Sequence, residues 1–167
     1  HIFNTPILIV VNNSQSFMEI KWVDTHCHLQ LLNKNLDENH FKNIEFLVIP
    51  GVDVESSSKA KEISSSLEVE SYWSAGLHPH DAKLLDTQRH DLEKLFVEAD
   101  LIGETGLDFY RNLSTKEEQR ENFLFHLEFS KQLNKPIIIH CRDSFQDTYD
   151  LLVEFNNPSS VILHSWT

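Results

Sequence analysis

His26 and His28, separated by one residue, follow the short apolar stretch Trp22-Val23, and Glu104, His140 and His164 each close a later apolar run. Imidazole nitrogens and carboxylate oxygens are the donors that hold Zn²⁺, Mn²⁺ or Co²⁺, and a carboxylate also suits Mg²⁺. His78 and His80 flank Pro79 in a further polar turn. Alone, His140 reads as a core histidine satisfied by a hydrogen bond, Glu104 as a loop carboxylate, and the His78–His80 pair as part of a turn. Metal chemistry becomes the better reading because the residues recur at the ends of separate strands.

Those strands are legible as apolar runs. Lys21–Thr25 leads to the histidine pair, and strand alternation would throw His26 and His28 to one side and Cys27 to the other. Glu45–Gly51 and Pro136–His140 are continuous apolar runs, the form of strands buried on both faces of a parallel sheet. Glu70–Ala75, Leu101–Glu104 and Val161–His164 complete six strands. Helices are expected between them: Glu55 to about Leu67 capped by Asp53, Thr87–Ala99 with Leu92, Leu95, Phe96 and Ala99 on one face, a helix ending near Asn134, and Ser144–Phe155 stopped by Pro158. Ser114-Thr115-Lys116-Glu117 reads as the capping box of the third helix. Strands alternating with helices give an α/β architecture with a parallel sheet, and right-handed crossovers bring every strand's C-terminal end to one rim. In a parallel barrel that rim is where the site sits, so His26, His28, Glu104, His140 and His164 would converge there, joined by His78 and His80.

The length of 167 residues suits one domain, and a formal net charge of −12 argues against electrostatic capture of nucleic acid over the whole surface. Local Arg, Lys or metal ions would still serve phosphate chemistry. Cys27 and Cys141 form no disulfide framework and, each one residue from a candidate ligand, are expected as buried thiols, consistent with a reducing, cytoplasmic setting. The N-terminal apolar run is too short to span a bilayer and lacks the basic start of a secretory signal, so neither membrane insertion nor export is expected. The only methionine is Met18, and residues 1–17 are expected as an extension upstream of the functional start or as an extra edge strand.

Asp24-Thr25-His26-Cys27-His28-Leu29, Gly76-Leu77-His78-Pro79-His80, Gly103-Glu104-Thr105-Gly106-Leu107-Asp108, Ile139-His140-Cys141-Arg142-Asp143 and Leu163-His164-Ser165-Trp166 together resemble, in order, the motifs of the TatD-related hydrolases. The resemblance runs over residues 18–167. It implies a TIM-type (β/α)8 barrel, here its first six strand–helix units, and a metal-dependent deoxyribonuclease. It further implies two divalent cations bridged by Glu104, one also held by His26 and His28, the other by His140 and His164. The family pattern has two more strands and a further Asp, which this stretch does not include, so a C-terminally incomplete barrel is expected.

Three functions follow as expectations. The first is hydrolysis of DNA phosphodiester bonds at a two-metal site, with Arg142 and His78 contacting phosphates. The second keeps the site and changes the bond, to an ester such as that of a D-aminoacyl-tRNA. The third is a metal-binding fragment without activity. Asp24 and Asp108 are expected to orient neighbours rather than to bind metal, and Arg111 lacks the alternation that places Arg142 on the side of His140.

Overall fold

The computed structural model describes residues 20–32, 37–156 and 160–164. The extension expected over 1–17, Met18, the Pro158 stop and residues 165–167 lie outside the described residues.

Among the described residues six strands form one wholly parallel sheet in chain order: β1 (Trp22–Asp24), β2 (Ile44–Pro50), β3 (Glu70–Ala75), β4 (Leu101–Asp108), β5 (Ile137–Arg142) and β6 (Val161–His164). Four helices lie between them: α1 (Val54–Ser66), α2 (Leu85–Glu98), α3 (Lys116–Leu133) and α4 (Phe145–Glu154). Between β1 and β2 the described residues form two short 3-10 turns, Leu29–Leu31 and Glu38–Phe41. The sheet curls into a half-barrel, so that at its C-terminal rim the ring of His26, beyond β1, stacks on that of His164, ending β6, at 3.4 Å between centroids. Among the described residues, no helix is long and apolar enough to cross a membrane.

Side-chain alternation sorts the sheet into two faces. Ile137 and Ile139 point outward into the main core with Leu92, Phe96, Phe123, Leu127 and Leu151 of the helices, all essentially inaccessible. Ile138 points inward, and with Val48 and Leu101 it makes a smaller apolar cluster joined by Phe46 and Ile162. His140 and His164 lie two residues beyond Ile138 and Ile162 on the same strands. The inward cluster is therefore an apolar floor beneath them.

Several expected boundaries move. β1 stops at Asp24, so His26 and His28 lie in the turn after the strand. They converge by turn geometry, not by strand alternation. β4 continues past Glu104 to Asp108, because after a register shift between Ile102 and Thr105 its pairing with β5 resumes, from Thr105 opposite Ile139 to Asp108 opposite Arg142. Gly106 permits this: its φ is +132°, and a Cβ there would lie 2.1 Å from the carbonyl oxygen of His140. A 3-10 helix, Pro79–Leu84, precedes α2, which starts at Leu85. The capping box of α3 is formed by Thr115 and Glu118, one residue later than expected; the Ser114 hydroxyl instead donates to His80 O at 2.9 Å.

Candidate metal centre

Glu104 is the middle of the site. The irregularity in β4 turns its carboxylate inward above the apolar floor, where it is 2% exposed. Its two oxygens divide the surrounding imidazoles. Oε2 lies 3.1 Å from His26 Nε2 and 3.5 Å from His28 Nε2, while Oε1 lies 3.2 Å from His140 Nδ1, 3.7 Å from His78 Nε2 and 4.0 Å from His164 Nε2. Beside them opens a cleft of about 330 Å³ lined by His28, Val52, His78, His80, Asp81, Glu104, His140 and His164.

Hydrogen bonds on the far side of each ring decide what the near side offers. His28 Nδ1 lies 3.0 Å from the carbonyl oxygen of Pro50, an acceptor only, so the proton sits on Nδ1 and Nε2 turns a lone pair to the cluster. His140 lies between two carboxylates, its Nε2 3.2 Å from Asp108 Oδ2 and its Nδ1 3.2 Å from Glu104 Oε1; a cation on the Glu104 side would require the proton on Nε2, donated to Asp108. His78 is wired the other way. Its Nδ1 accepts from the backbone N–H of His80 at 3.2 Å, so Nε2 carries the hydrogen toward the cleft. Such a ring is suited to donate to an anion, whereas His28 and His140 are suited to a cation.

Burial would raise the Glu104 carboxyl, but the side chains of His140, His26 and His28 outweigh it and hold it well below the ordinary range. Asp108 is likewise pulled down to about 2: against the effect of burial act the backbone N–H of Arg111 and the side chains of His80 and His140. Burial lowers His78 to about 3 and His164 to about 4, and both are neutral imidazoles near pH 7. No Lys or Arg among the described residues pairs with Glu104, so this buried anion is surrounded by imidazoles alone. That donor set fits divalent cations. His26, Glu104 and His164 bring one ligand atom each within 4.8 Å of one another, and the facing atoms of His78, Glu104 and His140 approach one another as closely. Cys27 and Cys141 belong to neither group; they are free thiols, Cys27 donating to Val48 O at 3.3 Å with its pKa pushed up by burial.

The structure thus gathers all five expected ligands, His26, His28, Glu104, His140 and His164, with His78 among them rather than apart. Arg142 is not on the cluster: its guanidinium lies 3.9 Å from the ring centroid of Tyr110 at the rim. Asp108 orients neighbours as expected, bonding His80 at 2.8 Å as well as His140. Sequence reasoning misses the support from α3. Gln119 accepts from Asp108 N at 2.8 Å and donates to Asp108 O at 3.1 Å. Asn122 donates to Leu77 O at 2.7 Å, and His126 accepts from Leu77 N at 3.0 Å, gripping the backbone just before His78. The signal was present as Gln119, Asn122, His126 and Ser130 at helical spacing among Phe123 and Leu127, but polar residues at that spacing usually mark a solvated face.

Comparison with known proteins supplies the lineage. A family profile described as TatD related DNase matches residues 23–167. An uncharacterized metal-dependent hydrolase of Buchnera aphidicola subsp. Baizongia pistaciae is 33% identical over 161 residues, covering 87% of this chain and 59% of that protein. The 3'-5' ssDNA/RNA exonuclease TatD of Escherichia coli K12 is 34% identical over 126 residues, covering 72% of this chain and 48% of that protein. Among solved structures, the TatD homologue YJJV of Escherichia coli K12 superposes with a TM-score of 0.77 at 20% identity, over 87% of this chain and 60% of that one. That likeness shows the same fold, a partial TIM barrel. The chain spans about 60% of the length of the Buchnera relatives it matches. With the profile matching nearly all of the described sheet, and the motif order kept from β1 to β6, the chain belongs to the TatD-related DNase family.

Proposed function

We propose that the chain acts in hydrolysis of phosphodiester bonds in nucleic acid, DNA first, with Glu104 shared between two divalent cations. His26 and His28 serve the Oε2 side and His140 and His164 the Oε1 side. The observation that carries this reading is the buried Glu104 carboxylate, faced by five imidazoles and no Lys or Arg among the described residues. Bound cations would supply Lewis acidity to a phosphoryl oxygen and acidify water. The side chains do the rest. Asp108 holds the His140 ring in the tautomer that directs a lone pair inward, and His78 offers Nε2–H to a phosphate oxygen. Arg142, at the rim, serves a neighbouring phosphate. The Escherichia coli relative named as an ssDNA/RNA exonuclease supports the choice of substrate. The two free thiols fit a reducing compartment such as the cytoplasm.

The test is cleavage of single- and double-stranded DNA by this chain with Mg²⁺, Mn²⁺, Zn²⁺ or Co²⁺. Cleavage is expected to vanish with a chelator and in Glu104→Gln. Cleavage that survives in Glu104→Gln overturns the mechanism. Cation binding without nuclease action, but with hydrolysis of a D-aminoacyl-tRNA ester, would assign the site to ester chemistry. Cation binding with neither reaction would leave a metal-binding portion of the barrel.

A further inference from the structure

Tyr110 follows the site by two residues and is 57% exposed. It is not loosely attached. Asp108 Oδ1 accepts the backbone N–H groups of Tyr110 at 3.0 Å and Arg111 at 2.8 Å, while Oδ2 of the same carboxylate faces His80 and His140. One buried carboxylate therefore fixes both the candidate metal cluster and the exposed ring beside it.

Cations surround that ring. The Arg142 guanidinium lies 3.9 Å from the Tyr110 centroid and that of Arg111 6.0 Å, while Lys116 Nζ sits 4.0 Å from the neighbouring Phe109 ring. The arginines elsewhere are engaged: Arg89 pairs with Glu121 and Arg120 with Glu154. Arg111 and Arg142 take no carboxylate among the described residues, in a chain with a formal net charge of −12. A guanidinium stacked on a ring spends its face there and keeps its N–H edge for anions. Exposed aromatic surface interleaved with uncommitted arginines, tied to a hydrolytic centre, is the composition that holds single-stranded nucleic acid.

We propose that Tyr110 and Arg142, with Arg111, form a nucleotide subsite at the mouth. An unpaired base stacks on Tyr110, and Arg142 takes the phosphate next to it. The subsite takes an unpaired base, since a paired base offers no free face to the ring. This rests on the phosphodiesterase reading of the adjoining centre.

The experiment measures binding of a fluorescently labelled single-stranded oligodeoxynucleotide and of the same strand carrying abasic residues, by anisotropy in a chelator so that nothing is cut. Wild-type protein is expected to prefer the intact strand, and Tyr110→Ala to lower that preference roughly tenfold, within the range of one base stack. Tyr110→Trp is expected to restore it. Arg142→Ala is expected to reduce the slope of log affinity against log salt by about 0.7, one phosphate contact. Equal preference ratios in wild type and Tyr110→Ala overturn the subsite, as does loss of preference that Trp does not rescue. Cleavage of the abasic strand by metal-loaded wild-type protein tests the phosphodiesterase reading separately. If it is cut while the ratios are equal, the subsite alone fails; if neither strand is cut while the Tyr110-dependent preference persists, the hydrolytic reading alone fails.

Discussion

At the scale of single residues, what each imidazole offers is set by its partner on the opposite side. Asp108 is decisive for His140: a cation beside Glu104 would need the Nδ1 lone pair, so the proton would have to sit on Nε2, where Asp108 accepts it. Asp108→Asn keeps the volume and can still accept the backbone N–H groups of Tyr110 and Arg111. Its amide, however, offers hydrogens where the carboxylate accepted, and so favours the opposite tautomer of His140. Divalent cation affinity is expected to fall about 10- to 100-fold in this variant, the size found when such an orienting partner is lost. Isothermal titration with Mn²⁺ or Zn²⁺ checks it, and unchanged affinity would show that His140 needs no orienting carboxylate.

Among the elements, α3 does more than fill the outer layer. Its inward face carries Gln119, Asn122 and His126, all inaccessible to solvent, and each binds the backbone of a site loop. Asn122→Ala strands the carbonyl of Leu77 without its donor, and stability in urea titration is expected to drop by about 1–3 kcal/mol. His126 makes the same clamp sensitive to acid. It accepts from Leu77 N through Nε2, and burial lowers its pKa from 6.5 to about 4. Because the folded state prefers the neutral ring, its contribution is complete above pH 6.5 and is lost as pH falls from 6.5 toward 4. The stability advantage of wild type over His126→Gln should therefore shrink by about 2 kcal/mol between pH 6.5 and pH 5. Equal pH slopes for the two proteins, from urea unfolding, would show that the ring is not held neutral. These α3 contacts also mark the limit of what the sequence discloses. Strands such as Glu70–Ala75 and Val161–His164 were readable to the residue, because short stretches rich in aromatic or β-branched residues, Tyr72-Trp73 and Val161-Ile162, favour the extended chain. The gathering of His140 and His164 was readable because one rim collects the C-terminal parts of the strands that carry them; His26, in the turn after β1, and Glu104, inside β4, reach the same place by local geometry. The continuation of β4 to Asp108 was not readable, since it depends on a pairing shift against β5 that Gly103 and Gly106 permit but do not announce. Nor was the inward turn of His126, which only tertiary burial distinguishes from a solvated helix position.

Taken as a whole molecule, the half-barrel is held at its rim by side chains from both borders of the described sheet. β1 and β6 lie five strands apart in the order of the sheet, yet His26 beyond one stacks against His164 on the other. Glu104, from β4 between them, approaches both, and the three together bring one ligand atom each within 4.8 Å of one another. A cation held with His26 on the Oε2 side and one held with His164 on the Oε1 side would join the two borders of the sheet through the Glu104 they share, so their binding free energy becomes folding free energy. At a free concentration about 100 times the dissociation constant, one such ion adds about 2.7 kcal/mol. For a chain of this length that corresponds to a rise in Tm of roughly 5–10 °C. Thermal scans with and without Mn²⁺ or Zn²⁺ should show the rise in wild type and lose most of it in His164→Ala. Hydrogen exchange adds the spatial evidence, with backbone amides of β1 and β6 slowing together when the ion is added. A rise confined to β1, with β6 exchanging as before, would place the ion on the His26–His28 side alone and remove His164 from the ligand set.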